Sequence, residues 1–182
     1  MNKGRIEVIC GPMFSGKSEE LLRRLNRASI AKRKFELFKP AIDDRYSEDE
    51  VVSHSGQAMS CIPLINAHDI VEQVAKDTKI VAIDEALFFD LRLIATILEL
   101  TEDGKRVIIA GLDMDSRGVP FGPMPQLLAM AEEITKLTAV CETCGEPATH
   151  SYRISCDDTQ VHVGASGDYE ARCRNHWKGT DQ

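Results

Sequence analysis

One run of eight residues constrains the fold of this chain more than any other: Gly11, Pro12, Met13, Phe14, Ser15, Gly16, Lys17 and Ser18. It matches the phosphate-binding pattern Gly-x-x-x-x-Gly-Lys-Ser/Thr, the P-loop, at every fixed position. The glycines let successive backbone N–H groups converge on phosphate oxygens, and the positive end of a following helix adds to the attraction. We expect Lys17 to reach the β- and γ-phosphates of ATP, and Ser18 to bind Mg²⁺. A glycine-rich turn that binds no phosphate is the alternative interpretation.

The apolar pattern around this loop predicts an α/β fold. Short apolar segments predict strands at 6–10, 35–38, 80–83 and 107–110. Amphipathic segments between them predict helices near 21–28, 66–75, 90–104 and 126–133. Strands that alternate with helices form a parallel sheet with helices on both faces, and ligands bind beyond the carboxyl ends of its strands. The polar segment 41–62 and the glycine- and proline-rich segment 111–125 are predicted to be long loops.

A pair of acidic residues follows the third predicted strand, which ends at Ile83. Asp84 is placed to hold Mg²⁺ beside a nucleotide, and Glu85 is placed to orient an acceptor hydroxyl and take its proton. Acidic residues at strand ends are often only turn formers or solvated charges. The complete P-loop upstream favours the functional interpretation.

Two short metal-ligand motifs lie in the last part of the chain, Cys141-x-x-Cys144 and Cys173-x-x-His176. Together they predict a tetrahedral Cys₃His zinc site, which is structural because four protein ligands leave no open position. A redox pair or a coincidence is the alternative for a lone Cys-x-x-Cys. Three further residues between the motifs are rival ligands without the motif spacing: His150, Cys156 and His162.

The change of pattern near residue 138 predicts a division into two parts. We expect residues 1–138 to form a P-loop α/β domain that binds ATP. Residues 139–182 are expected to form a small zinc-ribbon-like domain, with the segment between the two motifs looped out.

Charge and hydropathy exclude several classes of protein. The net charge of −7 gives no electrostatic footprint for nucleic acid. No apolar run approaches the length of about 18 residues that a membrane span needs. The first residues lead directly into a strand-like segment with no apolar leader, which predicts a cytoplasmic protein.

Taken together, these motifs resemble those of the type II thymidine kinases, the cytosolic zinc-containing family. The resemblance covers nearly the whole chain and rests on seven segments in the family's order: 11–18, 43–46, 84–89, 111–115, 120–122, 136–141 and 169–174. It implies transfer of the γ-phosphate of ATP to the 5′-hydroxyl of thymidine, in nucleotide salvage for DNA synthesis. It also implies a homotetramer and feedback inhibition by dTTP.

The resemblance further implies roles for individual residues. Glu85 corresponds to the family's catalytic base, and Asp43 and Arg45 fall near the phosphate-transfer site. The looped-out segment between the cysteine motifs corresponds to the family's nucleoside-binding lasso, in which backbone groups at Val163 and Gly164 correspond to those that read the thymine edge. The remaining residues expected around the base and sugar are Met13, Phe88, Leu112, Phe121 and Tyr169. A plain core role for Phe88 and Leu112, and packing against the zinc lobe for Tyr169, are the alternatives.

Three residues depart from the family's usual pattern. Leu87 stands where glutamine is usual, Ser116 where phenylalanine is usual, and Gly167 where an acidic residue is common. All three lie near the nucleoside in the family, so they bear on base specificity more than on ATP chemistry. The competing hypotheses are a non-catalytic nucleotide-binding regulator and a kinase with a shifted pyrimidine preference.

Overall fold

The computed structural model describes residues 3–41, 50–52, 56–154 and 168–179. The strands found there are, in chain order, β1 (Arg5–Cys10), β2 (Phe35–Pro40), β3 (Glu50–Val52), β4 (Ala58–Ser60), β5 (Ile62–Leu64), β6 (Ile80–Ile83), β7 (Arg106–Gly111), β8 (Glu133–Lys136), β9 (Ala139–Val140), β10 (Pro147–Ala148), β11 (His150–Arg153) and β12 (Tyr169–Arg172). The helices are α1 (Lys17–Ile30), α2 (Asp69–Gln73), α3 (Arg92–Glu102) and α4 (Met124–Met130), with a 3₁₀ helix at Ala86–Phe88.

Six strands form one parallel sheet in the order β5-β2-β6-β7-β1-β8. Strand β1 therefore lies between β7 and β8, and the loop that leaves its carboxyl end emerges inside the sheet, not at its edge. This confirms the predicted parallel sheet. It places the P-loop sequence at the carboxyl ends of the strands, where ligands bind in α/β folds.

Helices cover both faces of the sheet, as predicted. On one face, Leu21, Leu22 and Leu25 of α1 pack against Ile9 of β1 and Ile108 of β7. The other face packs against α3 and α4 through a larger set of apolar side chains, among them Val8, Leu93, Ile97 and Leu127. The alternation of side chains along β1 sends Ile9 to the first core and Val8 to the second.

Two predicted elements differ from the structure. The helix expected at 126–133 ends at Met130, because the chain turns extended at Ala131 and then forms β8. Strand β8 pairs only with β1, and most of its side chains are exposed, so it lacks the apolar run of a central strand. The segment expected as a loop at 41–62 contains the short strands β3 and β4, and β5 begins at its end.

The last part of the chain forms two small antiparallel ribbons, β9 with β10 and β11 with β12. Among the residues described there, its own core is small: Ala139, Cys141, Ala148, Ala171 and Cys173. A core of this size cannot stabilise a fold by apolar burial alone, so a bound metal is expected to contribute. We call residues 139–154 and 168–179 the zinc lobe.

Among the residues described, none belongs to a helix long and apolar enough to cross a membrane.

Candidate active site and metal centre

The loop between β1 and α1 curls tightly around the Lys17 ammonium group. Lys17 Nζ donates a hydrogen bond to the Pro12 carbonyl oxygen at 2.8 Å, and Ser15 Oγ donates to the same oxygen at 2.7 Å. Gly11 adopts a φ of 146°, and a Cβ there would lie 2.5 Å from the Leu137 carbonyl oxygen. Only glycine fits this position, since a side chain would collide with backbone that cannot move aside.

The Ser18 side chain meets the acidic pair at the end of β6. Ser18 Oγ donates to Asp84 Oδ2 at 3.0 Å, although the two residues are far apart in sequence. Burial raises the pKa of the Asp84 carboxyl to about 7, with a further contribution from the charge of Glu85. A hydroxyl and a carboxylate in contact beside a phosphate-binding loop are the ligand types that Mg²⁺ prefers.

Glu85 follows in a backbone conformation that is rare for a residue with a side chain. Its φ of 48° and ψ of 40° are left-handed, and its N–H donates to Asp84 Oδ1 at 3.0 Å. The next residues form the 3₁₀ helix Ala86–Phe88. Strained backbone of this kind is typical of functional sites. The turn buries Asp84 and leaves Glu85 partly exposed at the same edge of the sheet.

Two aromatic residues expected at the nucleoside meet near this turn. The rings of Phe88 and Phe121 lie edge to face, with centroids 6.0 Å apart and an interplanar angle of 81°. Both rings, like Leu112, are partly buried and pack against the larger core. Leu87, by contrast, is 2 % exposed and belongs to that core. A Cβ added on Gly122 would lie 2.3 Å from the carbonyl oxygen of Leu87.

Met13 contacts the zinc lobe, and Tyr169 lies within that lobe. The Met13 N–H donates to Ser151 Oγ of β11 at 3.0 Å. The Tyr169 phenol oxygen accepts hydrogen bonds from Arg153 Nε at 3.1 Å and from a terminal nitrogen of the same guanidinium at 2.8 Å. Four expected site residues lie outside the described residues: Asp43, Arg45, Val163 and Gly164.

The structure adds polar contacts that the sequence motifs do not include. Lys136 at the end of β8 forms an ion pair with the buried Asp113 at 2.7 Å, and this contact raises the pKa of Lys136. Asp113 lies just after β7, and Leu137 donates its N–H to the Cys10 carbonyl before the P-loop sequence. An acidic residue after a strand end was a usable sequence signal for Asp113. No local pattern indicates Lys136 or Ser151, because their partners are distant in sequence.

The four residues of the two cysteine motifs converge in the zinc lobe. Their ligand atoms, one each from Cys141, Cys144, Cys173 and His176, lie within 4.8 Å of one another. The Cys144 and Cys173 sulfurs are 3.7 Å apart, and His176 Nδ1 lies 3.2 Å from Cys173 Sγ and 3.9 Å from Cys141 Sγ. Two sulfurs bound at about 2.3 Å to one tetrahedral zinc lie about 3.8 Å apart. The cluster is thus compatible with a zinc site.

Backbone groups around this cluster favour a thiolate. Hydrogen bonding from the Cys173 backbone lowers the pKa of Cys141 to about 6, and backbone groups of Thr143 and Cys144 add to the effect. A thiolate is the form of cysteine that binds zinc. Cys10 and Cys61, the other cysteines described, are buried in the cores of the sheet domain.

The sheet order, the loop after β1 and the acidic pair after β6 define an α/β protein of the P-loop class with a second lobe, whose Cys/His cluster is compatible with a zinc site. A family model described as thymidine kinase matches residues 4–177. Since this match spans nearly the whole chain, the chain belongs to the thymidine kinase family. That membership confirms the resemblance seen in the sequence and supports a kinase function in general.

Proposed function

We propose that this protein transfers the γ-phosphate of ATP to the 5′-hydroxyl of thymidine, which yields dTMP and ADP. The observation that carries the proposal is the Ser18–Asp84 contact, with Glu85 next to it in a strained turn. In a chain of the thymidine kinase family, this arrangement supports a phosphoryl-transfer site between the P-loop sequence and the 3₁₀ helix.

In this proposal the residues from Gly11 to Ser18 bind the triphosphate. Their backbone N–H groups and the N-terminus of α1 supply positive potential, and Lys17 adds a point charge. Ser18 and Asp84 are the residues that would hold Mg²⁺, which neutralises phosphate charge when bound. Asp84 must be ionised for that role, and the nearby Lys17 and the Ser18 hydrogen bond both lower its pKa against the effect of burial.

Glu85 acts on the acceptor. Its carboxylate orients the 5′-hydroxyl and takes its proton as the new bond from oxygen to the γ-phosphorus forms. The bond from the γ-phosphorus to the bridging oxygen breaks, and ADP leaves with that electron pair. General-base contributions of this type are worth about 10²–10⁴-fold in rate.

The nucleoside would be enclosed by Met13, Phe88, Leu112, Phe121 and Tyr169, with Val163 and Gly164 at the base edge. Asp43 and Arg45 would lie near the transferred phosphate. These assignments follow the family resemblance. The assignments of Phe88 and Phe121 are also supported by the edge-to-face contact of their rings, since Phe88 closely follows Glu85 in the chain.

Several broader assignments belong to the same proposal. The zinc at Cys141, Cys144, Cys173 and His176 is structural, and the chain divides into domains at 1–138 and 139–182. The protein works in the cytoplasm in nucleotide salvage for DNA synthesis. It acts as a homotetramer that dTTP inhibits, and it binds no nucleic acid.

The test is ATP-dependent phosphorylation across thymidine, deoxyuridine, deoxycytidine and purine nucleosides. We expect thymidine to be the best acceptor and Glu85→Gln to lower kcat by about 10²–10⁴-fold. Glu99→Gln, an exposed position on α3, is the matched control and should leave kcat unchanged. Turnover of deoxyuridine in preference to thymidine would establish a shifted specificity. ATP binding without turnover of any nucleoside would overturn the kinase proposal in favour of a regulator.

A further inference from the structure

The one tryptophan of the chain joins the zinc lobe to the loop after β7. Trp177 directly follows the metal-ligand candidate His176, and its backbone N–H donates to the Cys173 carbonyl at 2.9 Å. Its indole N–H donates to the Ser116 carbonyl oxygen at 3.1 Å. The cysteine motif thus sets the position of the Trp177 backbone, and the side chain reaches across to the other domain.

The indole ring also contacts His150 and lies close to Gly118. It stacks on His150 of β11, with centroids 4.3 Å apart and an interplanar angle of 22°. At Gly118, an added Cβ would lie 2.6 and 2.9 Å from two carbons of the indole ring. Glycine at 118 is therefore required both by its φ of 74° and by the closeness of the ring.

The loop that Trp177 contacts is closed by several hydrogen bonds of its own. Asp115 Oδ1 accepts the N–H groups of Arg117 and Val119, each at 2.9 Å. The Phe121 N–H donates to the Asp113 carbonyl oxygen at 3.1 Å, which closes the loop just before the ring that meets Phe88. A displacement of the loop at Ser116 would therefore be passed on to Phe121 and not absorbed locally.

We propose that Trp177 is a positioning residue for the nucleoside side of the site. It holds the loop 113–121 through the hydrogen bond to the Ser116 carbonyl and through the close approach of the indole ring to Gly118. The loop in turn sets the position of Phe121. The inference rests on the proposed function, in which Phe121 encloses the nucleoside.

The kinetic test compares Trp177→Phe with the unaltered protein. Phenylalanine keeps a ring for the stack on His150 but lacks the indole N–H. We expect the thymidine KM to rise about fivefold, the equivalent of one hydrogen bond. The ATP KM and the zinc content should stay unchanged, because the hydrogen bond that is lost goes to the Ser116 carbonyl, outside the P-loop sequence and the candidate zinc ligands. Equal rises in both KM values, or no rise in either, would overturn the proposal.

A second measurement does not depend on turnover. Hydrogen exchange of the Arg117, Val119 and Phe121 amides should be faster in Trp177→Phe, because the loop loses an anchor. Val140→Ala, an exposed position in the same lobe, is the control and should leave these amides unchanged. Unchanged exchange in Trp177→Phe would sink the positioning role. Faster exchange in a protein that phosphorylates no nucleoside would instead refute the proposed function and keep the link from Trp177 to the loop.

Discussion

At the scale of single residues, Glu7 shows how a charge is accommodated inside this fold. Its side chain is fully buried, and it accepts hydrogen bonds from Arg106 at 2.6 and 2.7 Å and from Arg24 at 2.7 Å. Arg5 adds an ion pair at 2.6 Å. Burial raises the pKa of the Glu7 carboxyl, but the guanidinium groups outweigh it and the net pKa is lowered. The carboxylate thus remains ionised and joins β1, β7 and α1.

Removal of this charge should be costly. Glu7→Gln leaves the guanidinium groups without their common counter-charge, and breaking a buried pair in this way costs about 3–5 kcal/mol. Urea unfolding at neutral pH measures the loss. Asp77→Asn is the control, since Asp77 forms an exposed ion pair with Lys34 and should contribute little. Equal, small losses for both variants would contradict the role assigned to Glu7.

At the scale of elements, α1 begins at the end of the P-loop motif and carries a cluster of ion pairs. The helix begins at Lys17, directly after Gly16, whose φ of 82° turns the chain into the helix. One turn later Glu20 pairs with Arg23 at 2.6 Å and with Arg24 at 2.8 Å. The hydrogen bond from Arg23, reinforced by Arg24, lowers the pKa of Glu20 to about 2.

This shift predicts an acid dependence of stability. The folded pKa of Glu20 is about 2, below its ordinary value of 4.5. The contribution of Glu20 to the free energy of unfolding is therefore full above about pH 4.5 and is lost as the pH falls toward about 2. Glu20→Gln should be less stable than the unaltered protein at neutral pH. Its free energy of unfolding should also fall less on acidification.

Urea unfolding at several pH values between about 7 and 3 measures the difference between the two proteins. Glu99→Gln, on the exposed face of α3, controls for the loss of one carboxylate. A constant difference between Glu20→Gln and the unaltered protein at all pH values would contradict the prediction.

At the scale of the whole molecule, the zinc lobe and the sheet domain meet at the phosphate-binding loop. Phe14 packs against the small core of the lobe, and the Met13 N–H donates to Ser151. Two of the five buried side chains in that core are candidate metal ligands, Cys141 and Cys173. Loss of the metal should therefore loosen the lobe and, through Phe14 and Met13, the P-loop sequence, which we propose to bind ATP.

Metal analysis tests this dependence. We expect about one zinc per chain in the unaltered protein and little zinc in Cys173→Ala, with weaker ATP binding and a lower Tm. Cys61→Ala, a buried cysteine in the core of the sheet domain, should keep its zinc. Full zinc occupancy in Cys173→Ala would show that the ligand set is wrong.

Much of the fold could be predicted from the sequence because the signals are local. The apolar runs of β1, β6 and β7 and the stripe of α1 repeat over a few residues, so their pattern indicated a parallel sheet with helices on both faces. Strand β8 was missed because its stability comes from pairing with β1 and not from its own apolar content. The short strands β3 and β4 were missed for a similar reason, because each depends on pairing with the other.

The candidate site also divides into features that the sequence predicts and contacts that only the tertiary structure reveals. The sequence by itself determined the P-loop motif, the acidic pair at Asp84 and Glu85 and the two cysteine motifs, because each depends on the spacing of neighbouring residues. Only the tertiary structure decided that Ser18 meets Asp84, that Glu7 meets Arg24 and Arg106, and that Trp177 reaches Ser116. Those contacts join residues 17 or more positions apart, and a sequence pattern carries no record of which distant segments the packing brings together.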